Sequence, residues 1–415
     1  MKIIHTSDWH LGQFFQKTKK RSTEHALFID WLLDLIVREN VKLVLVTGDI
    51  FDTSSPPSYS KKQYAQFIAN LNAIDCQLVV ISGNHDSAAV LDEYDPLLAC
   101  MKVTVLSKMY LDDLSKHVSV IKSSSGSPQV IICAIPYIRT QEVAAGDFGE
   151  SLSDKKISLQ SIISNIYQDI YKIALQRQAE LPEVVPIIMT GHFTVADMQH
   201  SDSERDLYIG FINAFPVSLF PPADYIALGH LHRPQTVAAY QHICYAGSPI
   251  PLSFNEIKHQ KKVFMLEVTA SKKITSTAIN IPVFQPMHLI TATDFTDFID
   301  QLEQYNFDLT KPKVWLCVKI QVNSIHKHFL NKKIHEATQD MHCDVIQVIV
   351  MDKQTNVIKK TITSVDLQQL EPLVIFEKIL IDSAMTDPKA DFSVTRLKSK
   401  FKEIQQELVS ETIED

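Results

Sequence analysis

The chain has 415 residues, of which 45% are hydrophobic and 21% are charged, a composition typical of globular proteins with two or three domains. The formal net charge of −8 excludes an overall positive field for nucleic acid, although a local basic groove can coexist with an acidic remainder. No run approaches the roughly eighteen apolar residues of a membrane span. Six cysteines stand singly, which predicts free thiols in a reducing compartment. We therefore expect a cytoplasmic protein that does not enter a membrane.

The first 280 residues alternate apolar, strand-like runs with helical patterns, which predicts a layered α/β domain over 1–280. Six runs rich in β-branched residues and leucine are typical of strands buried on both faces. They lie at 1–8, 41–49, 76–84, 130–136, 186–192 and 224–232. Helical patterns with one apolar face lie at 24–39, 61–74 and 158–175. The SSSGSP stretch predicts a loop between two strands, and further strands at 242–270 complete the domain.

Two smaller units are predicted beyond this domain. Residues 285–360 contain three strand-like runs and two helical patterns between them, which is typical of a small α+β module. Residues 370–415 contain two helical patterns, the second with Ser393 as a suitable N-cap and with an apolar stripe. Such helices either pack on their own domain or dock on a partner helix, and the pattern leaves both open.

Five predicted strands end in side chains that bind metals, and four of these side chains follow or adjoin a glycine. In open α/β sheets, sites form outside the carboxyl ends of the strands, and glycine lets the backbone turn sharply and approach a ligand closely. We therefore expect these strand ends to meet. The side chains concerned are Asp8, His10, Asp49, Asn84, His192, His230 and His232.

Carboxylate, amide and imidazole groups together suit divalent transition metals. Seven side chains are too many for one tetrahedral site, but they suit two ions that share a bridging carboxylate. Two ions about 3.5–4 Å apart can activate a water and hold both the attacking and the leaving oxygen of a phosphoryl transfer. The alternative is that the strand ends carry unrelated turn residues, and their number and order argue against it.

The motifs DWH, GDIFD, GNHD, GHF and GHLH, in this order, resemble the signature of the calcineurin-like metallophosphoesterases. Longer stretches such as HTSDWHLGQ, ALGHLHRPQ and YAGSPIPLSF resemble the SbcD family, the nuclease subunits of bacterial SbcC–SbcD exonucleases. The specific motifs cover about the first 270 residues, and the rest matches the family's layout more weakly. The resemblance implies a layered metallophosphoesterase sandwich, a small α+β capping domain at 285–360 and a C-terminal helical tail at 370–415.

The resemblance also implies how the ligands divide between two divalent ions. Asp49 would bridge them, and the family usually works with manganese, although these ligand types do not choose manganese over iron, zinc or magnesium. One ion would be held by Asp8, His10, Asp49 and His232, and the other by Asp49, Asn84, His192 and His230.

Further residues are candidates for roles beside the metals. The family assigns the GNHD histidine, here His85, a part in donating a proton or stabilising the charged transition state. We hypothesise that the Asp52 side chain orients His85 by accepting its other ring proton, and that Asp86 is a helix N-cap. A basic cluster follows the loop that carries Asp8 and His10, called the first metal loop below. This cluster either contacts the DNA backbone or is a solvated loop. It consists of Lys17, Lys19, Lys20 and Arg21.

By this resemblance the chain would be a metal-dependent DNA nuclease in DNA repair, recombination and replication. It would act as a 3′-to-5′ exonuclease on double-stranded DNA and as an endonuclease on single strands and hairpins. The tail would bind the coiled coil of an SbcC ATPase, within a heterotetramer that contains a dimer of SbcD chains at the nucleoid. The chain has no Walker motif, so any ATP dependence must come from such a partner.

Two other functions stay open on the sequence alone. The same metal site serves phosphoesterases that act on small phosphodiesters or phosphoproteins, because the fold does not determine the substrate. Comparing activity on hairpin DNA with activity on a small phosphodiester distinguishes such an enzyme from a DNA nuclease. A non-catalytic scaffold of the same fold is the other alternative, and it would bind less than one metal per chain.

Overall fold

A computed structural model describes residues 1–94, 98–143, 152–195, 214–237, 239–322 and 327–352, and every structural statement refers to these residues. The predicted tail at 370–415, with Ser393, lies outside them, as does the end of the predicted 285–360 module. Within the described residues, no helix has the length and apolar character needed to cross a membrane.

The described helices and strands follow the predicted alternation. The strands are Lys2–Thr6 (β1), Phe14–Phe15 (β2), Lys19–Lys20 (β3), Leu43–Thr47 (β4), Gln77–Ile81 (β5), Val103–Leu106 (β6), Val118–Lys122 (β7), Pro128–Cys133 (β8), Ile187–His192 (β9), Tyr225–Gly229 (β10), Gln235–Val237 (β11), Tyr240–Tyr245 (β12), Lys262–Val268 (β13), Ile274–Asn280 (β14), Met287–Ala292 (β15), Val314–Val322 (β16) and Cys343–Asp352 (β17). The α-helices are Ser22–Glu39 (α1), Ser58–Ala73 (α2), Ala88–Leu91 (α3), Thr140–Val143 (α4), Leu152–Ala179 (α5), Phe295–Gln304 (α6) and Lys327–Thr338 (α7).

Two six-stranded sheets form the centre of the molecule. The first has the order β14-β13-β1-β4-β5-β6 and the second the order β11-β12-β10-β9-β8-β7. In the first sheet β1, β4, β5 and β6 run parallel, and in the second β12, β10, β9 and β8 do. The carboxyl ends of these parallel strands therefore form common edges, as the motif positions predicted.

Apolar side chains fill three layers around the two sheets. One cluster lies between the sheets and joins, for example, Leu45 of β4 to Ile188 of β9. A second lies between the first sheet and α1 and α2, and a third lies under α5 on the second sheet. The inward and outward faces of β4 and β5 are both buried, which explains why their sequences are apolar runs without alternation. The predicted layered sandwich is confirmed.

A third sheet, β15-β16-β17, follows in the chain, with β15 and β16 parallel. Helices α6 and α7 cover one of its faces, where Phe298, Leu316 and Ile334 are buried. Trp315 and Cys317 on the other face pack against Phe15 and Phe254. The predicted strands and helices of this module are confirmed. Residues Met1–Met351 form one compact unit, so the separation of the module as a domain stays a prediction.

The short hairpin β2–β3 was not predicted. It follows the first strand-end motif directly and pairs Phe14 with Lys20. Two-residue strands carry too little pattern to be detected by periodicity. The hairpin matters because its buried Phe15 connects the first metal loop to the third sheet.

Candidate metal centre

All seven predicted ligands follow the carboxyl ends of parallel strands. Asp8 and His10 follow β1, and Asp49 and Asn84 follow β4 and β5 in the same sheet. The remaining histidines come from the second sheet, with His192 closing β9 and His230 and His232 following β10. The site therefore lies where the two sheets meet.

The backbone at this site is unusual. Asp8, His10, Asp49 and His230 have positive φ angles of 52°, 47°, 51° and 96°. Non-glycine residues adopt this left-handed conformation only rarely and at a cost of about 1–3 kcal/mol each. Its concentration in predicted ligands indicates that the surrounding fold imposes the geometry of a functional site.

Two glycines explain why the ligands can approach one another. Gly48 has a φ of 92°, and a Cβ on it would lie 2.2 Å from Nδ1 of His192. A Cβ on Gly83 would lie 2.1 Å from Oδ1 of Asp49. Both distances are shorter than any side chain tolerates, so glycine before Asp49 and before Asn84 is a steric requirement of the site.

Asp49 lies at the centre of the ligand group. Its Oδ2 atom is 3.2 Å from Nε2 of His192 and 3.7 Å from Nε2 of His10. Its Oδ1 atom accepts a hydrogen bond from the main-chain N–H of His85 at 2.9 Å. The His192 Nε2 atom is also 3.0 Å from Oδ1 of Asn84. One Asp49 oxygen is thus fixed, and the other faces ligands from both sides.

Asp8 connects the remaining ligands. Candidate ligand atoms of Asp8, His10 and His232 all lie within 4.8 Å of one another, and so do those of Asp8, Asp49 and His192. The main-chain N–H of His230 donates to Oδ1 of Asp8 at 3.0 Å. The His230 ring centroid lies 5.4 Å from that of His192. The structure therefore brings all seven predicted residues together.

Acceptors outside the group orient three of the histidine rings. Nδ1 of His10 lies 3.2 Å from Oδ1 of Asp52, and Nδ1 of His192 donates to the carbonyl oxygen of Thr47 at 2.8 Å. Nδ1 of His232 lies 3.4 Å from Oε1 of Glu256. In all three rings Nε2 is therefore the nitrogen that would bind a metal, which is the arrangement typical of metal-binding histidines.

Several residues at the site have strongly shifted pKa values. Burial opposes ionisation of Asp49, but the neighbouring His192 and His10 outweigh it and hold the pKa of Asp49 well below its usual range. Burial likewise lowers the pKa of His192, but Asp49 outweighs that effect and raises it to about 9. Burial raises the pKa of Asp8. Closely packed buried groups with opposed pKa shifts are typical of functional sites.

The residues fit a pair of divalent cations. Nε2 of His10 is buried and has no hydrogen-bond partner within the described part of the chain, although buried polar atoms are normally paired. A cation between His10, Asp8 and Asp49 would satisfy that nitrogen. The donor set combines imidazole nitrogen with carboxylate and amide oxygen, which suits divalent metals.

Comparison with known proteins identifies the family of this chain. A family model described as calcineurin-like phosphoesterase matches residues 1–234. The chain is 39% identical to the SbcD subunit of nuclease SbcCD from Escherichia coli strain K12 over 349 residues, 84% of each protein. The chain belongs to the SbcD family of calcineurin-like phosphoesterases.

Other members of the family are more distant. The SbcD subunit of nuclease SbcCD from Bacillus subtilis is 29% identical over 301 residues, 69% of this chain and 71% of that protein. That of Staphylococcus saprophyticus is 25% identical over 414 residues, 99% of each chain. In this member of the family, residues beyond the seven predicted ligands also shape the site.

The Asp52 side chain does not play the part predicted for it. Nδ1 of His85 donates to the main-chain carbonyl oxygen of Asp52 at 2.7 Å, whereas the Asp52 carboxylate contacts His10. Two different groups of Asp52 are involved: its main-chain carbonyl faces His85 and its carboxylate faces His10. Because a carbonyl only accepts, His85 carries a proton on Nδ1 and presents Nε2 to the site.

Asp86 is not a helix N-cap, and that prediction is wrong. Its buried carboxylate accepts hydrogen bonds from the main-chain N–H groups of Ile50, Phe51 and Gly83, at 3.1, 3.0 and 2.9 Å. Ser87, not Asp86, precedes helix α3. Asp86 therefore ties the loop after β4 to the loop after β5, and so holds Asp49 and Asn84 in register.

Arg21 cannot contact DNA in this structure, which corrects the prediction for the basic cluster. Its guanidinium is fully buried and pairs with Glu24, donates to the carbonyl oxygen of Pro251 and lies over the Phe15 ring. Sequence position alone could not separate it from the exposed lysines beside it. Arg21 instead binds the hairpin β2–β3 to the loop around Pro251.

The three lysines of the cluster differ in environment. Lys17 and Lys20 are exposed, and Nζ of Lys20 lies 4.0 Å above the centre of the Tyr59 ring. Nζ of Lys19 forms an ion pair with Asp344 of β17 at 2.7 Å. Their contact with DNA stays a prediction.

Sequence reasoning missed two further residues. Glu256 accepts from the predicted ligand His232, although it lies 24 positions away in the chain and belongs to no motif. Arg139 donates to the main-chain carbonyl oxygen of Asp86 at 3.0 Å, directly beside His85, and remains partly exposed. A single arginine after an apolar run gives no signal in sequence, and only the fold reveals its position.

Proposed function

We propose that this chain is a two-metal DNA nuclease, the nuclease subunit of an SbcC–SbcD type complex. The observation that carries the proposal is the convergence of all seven candidate ligand residues, with His85 beside them. Similarity over 84% of the chain to a protein named as the SbcD subunit of a nuclease supports DNA as the substrate.

The chain's residues have distinct parts in this reaction. Asp8, His10, Asp49 and His232 would hold one ion, and Asp49, Asn84, His192 and His230 the other. Bound divalent ions would polarise the scissile phosphate and supply the nucleophile at neutral pH. Asp49 would be the residue shared by both ions, because its carboxylate lies close to both His10 and His192.

His85 is proposed to hold a proton at Nε2 for the leaving oxygen. Its Nδ1–H bond to the Asp52 carbonyl keeps the ring orientation constant while Nε2 gains or loses that proton. The His85 ring lies edge-on to His10, with centroids 4.8 Å apart. It is thus close enough to the metal ligands to act on the same phosphate.

The DNA backbone is proposed to lie along the exposed cations beside the site. Lys17 and Lys20 follow the first metal loop, and Arg139 lies beside the GNHD loop. Such contacts would position phosphates without reading sequence, and each would contribute to the salt dependence of binding. Lys19 would contribute less, because Asp344 already neutralises it.

Finer features of the assignment are also proposals. Manganese is the proposed native metal, with 3′-to-5′ polarity on duplex ends and endonuclease action on hairpins. The proposed partner is an SbcC ATPase that binds residues 370–415, in a heterotetramer with two copies of this chain at the nucleoid. Deleting residues 370–415 tests the docking: the shortened chain should no longer co-purify with SbcC.

An end-labelled DNA hairpin tests the central proposal. The purified chain should cleave it with Mn²⁺, and EDTA or Asp49→Ala should abolish cleavage. Hydrolysis of a small phosphodiester without hairpin cleavage, even after SbcC is added, would favour a small-substrate phosphoesterase. Absence of bound metal after Mn²⁺ loading would favour a scaffold.

A further inference from the structure

A buried ion pair lies behind the metal ligand His232. Glu256 belongs to the 3-10 turn Phe254–Lys258, and Lys261 immediately precedes β13. Their residues are 1% and 5% exposed, and Nζ lies 2.5 Å from Oε2. The pair therefore contacts solvent scarcely at all and is enclosed by the fold.

The Lys261 ammonium uses all three of its hydrogens within this network. Besides Glu256, it donates to Oγ of Ser248 at 2.8 Å and to the main-chain carbonyl oxygen of His232 at 3.0 Å. An ammonium has three donors and no acceptor, so this set is complete. One of the three fixes the backbone of the metal ligand itself.

The two oxygens of Glu256 have different partners. Oε2 accepts from Lys261, from the main-chain N–H of Leu252 at 3.1 Å and from Ser248 at 3.3 Å. Oε1 lies 3.4 Å from Nδ1 of His232. Burial opposes ionisation of Glu256, but Lys261 and His232 outweigh it and hold its pKa well below the usual range. The carboxylate is therefore charged and faces the ring N–H.

The pair thus contacts His232 twice, at the ring through Glu256 and at the main chain through Lys261. A buried ion pair is weak grounds for stability, because apolar residues of similar volume often replace it without loss. The pair can still matter for orienting a metal ligand. Removing the groups that hydrogen-bond to a metal-binding histidine typically lowers metal affinity about 10–100-fold.

We propose that Glu256 and Lys261 are positioning residues for His232, which keep its Nε2 directed at the metal position shared with Asp8 and His10. The inference rests on the proposed function, because it takes His232 as a metal ligand. It assigns the pair no contact with substrate.

Mn²⁺ binding to the full-length chain tests this, measured by calorimetry and by metal analysis after dialysis. Glu256→Leu/Lys261→Met removes both charges together and leaves no unpaired buried ion. We expect it to keep one tight Mn²⁺ and to bind the other 10–100-fold more weakly. Glu256→Gln/Lys261→Met keeps an oxygen that can accept from Nδ1 of His232, and should recover much of the lost affinity.

A matched control removes a different buried ion pair. Arg21 and Glu24 are paired and buried, and within the described residues their side-chain hydrogen bonds join them to each other, to Gln13 and to Pro251. None of these is a proposed metal ligand, so Arg21→Met/Glu24→Leu should bind both ions as the unmodified chain does. Equal weakening in the control and in Glu256→Leu/Lys261→Met would mean that loss of any buried pair loosens the site, and would overturn the inference.

Two further results separate this inference from the metal assignment beneath it. Asp49→Asn should lose tight binding of both ions; if it binds them normally, the proposed metal centre fails and the inference with it. If Asp49→Asn loses metal but both Glu256 double variants bind as the unmodified chain does, the metal centre stands and the positioning role is wrong.

Discussion

Asp52 contacts two histidines through two different oxygen atoms. Its main-chain carbonyl accepts from Nδ1 of His85, and its carboxylate faces Nδ1 of His10. A substitution of the side chain leaves the first contact in place and removes only the second. The two histidines can therefore be separated experimentally at one residue.

We expect Asp52→Ala to weaken Mn²⁺ binding by about 10–100-fold, because His10 loses the acceptor that orients it. At saturating Mn²⁺ its turnover of hairpin DNA should fall far less than that of His85→Ala, which loses the proposed proton donor. Calorimetry and single-turnover cleavage measure the two effects. Unchanged Mn²⁺ affinity with a turnover as low as that of His85→Ala would show that the carboxylate acts on His85.

Buried histidines outside the ligand set make stability depend on pH. Burial lowers the pKa of His5 and of His25 to about 3 each. Below pH 6.5 the unfolded chain binds these protons and the folded chain does not, so stability falls as the pH drops from about 6.5 toward 3. Above about pH 7.5 both states are almost fully neutral and neither histidine contributes a pH dependence.

His25→Leu isolates one of these contributions. Between pH 7.5 and pH 5.5, one such histidine accounts for about 1.4 kcal/mol of lost stability. The variant should therefore lose about 1.4 kcal/mol less than the unmodified chain over this range. Urea unfolding at both pH values, with EDTA present, measures the difference, and identical losses would contradict the buried, neutral state of His25.

At the scale of elements, the hairpin β2–β3 connects the metal loop to the third sheet. Phe15 is 1% exposed and lies between Phe254 and Trp315, with ring centroids 5.1 and 5.4 Å away. Phe14, on the opposite face, is 48% exposed. The ion pair of Lys19 with Asp344 adds a second, half-exposed contact worth at most about 1 kcal/mol.

Phe15→Ala should destabilise the chain by about 3–5 kcal/mol, the usual cost of truncating a buried phenylalanine. Hairpin DNA cleavage should also fall more than hydrolysis of a small phosphodiester, because the third sheet loses its anchor beside the site. Phe14→Ala is the matched control and should change stability by less than about 0.5 kcal/mol. Equal effects of the two variants on unfolding would contradict the packing described here.

At the scale of the whole molecule, the proposed metals join the two central sheets. Asp8, His10, Asp49 and Asn84 come from the first sheet and the three histidines from the second. A ligand that binds only the folded state stabilises it by mass action. Metal binding and folding are therefore expected to be coupled.

Raising free Mn²⁺ to 100 times its Kd should stabilise the chain by about 2.7 kcal/mol for each ion bound. The change is measured as the shift of the urea midpoint between Mn²⁺ and EDTA. Asp49→Ala, which removes the bridging carboxylate, should show almost no shift. An equal shift in both proteins would mean that Mn²⁺ binds elsewhere on the chain.

The sequence by itself predicted most of the long strands, their alternation with helices and the seven candidate ligands. This was possible because apolar runs mark buried strands and because the carboxyl ends of parallel strands meet at one edge of a sheet. Asp8, Asp49 and His192 could therefore be assigned to one site because each lies at the end of an apolar run. The resemblance to the family then predicted how the ligands divide between two ions.

Only the tertiary structure decided which residues surround that site. In the sequence, Arg21 cannot be distinguished from the lysines beside it. In the structure, its guanidinium is paired with Glu24 and bound to Pro251, 230 positions away. Glu256 and Asp86 likewise gain their roles from hydrogen bonds to segments far along the chain. The physical reason is that a ligand motif is a local pattern, whereas burial and hydrogen-bond partners depend on what the fold brings near.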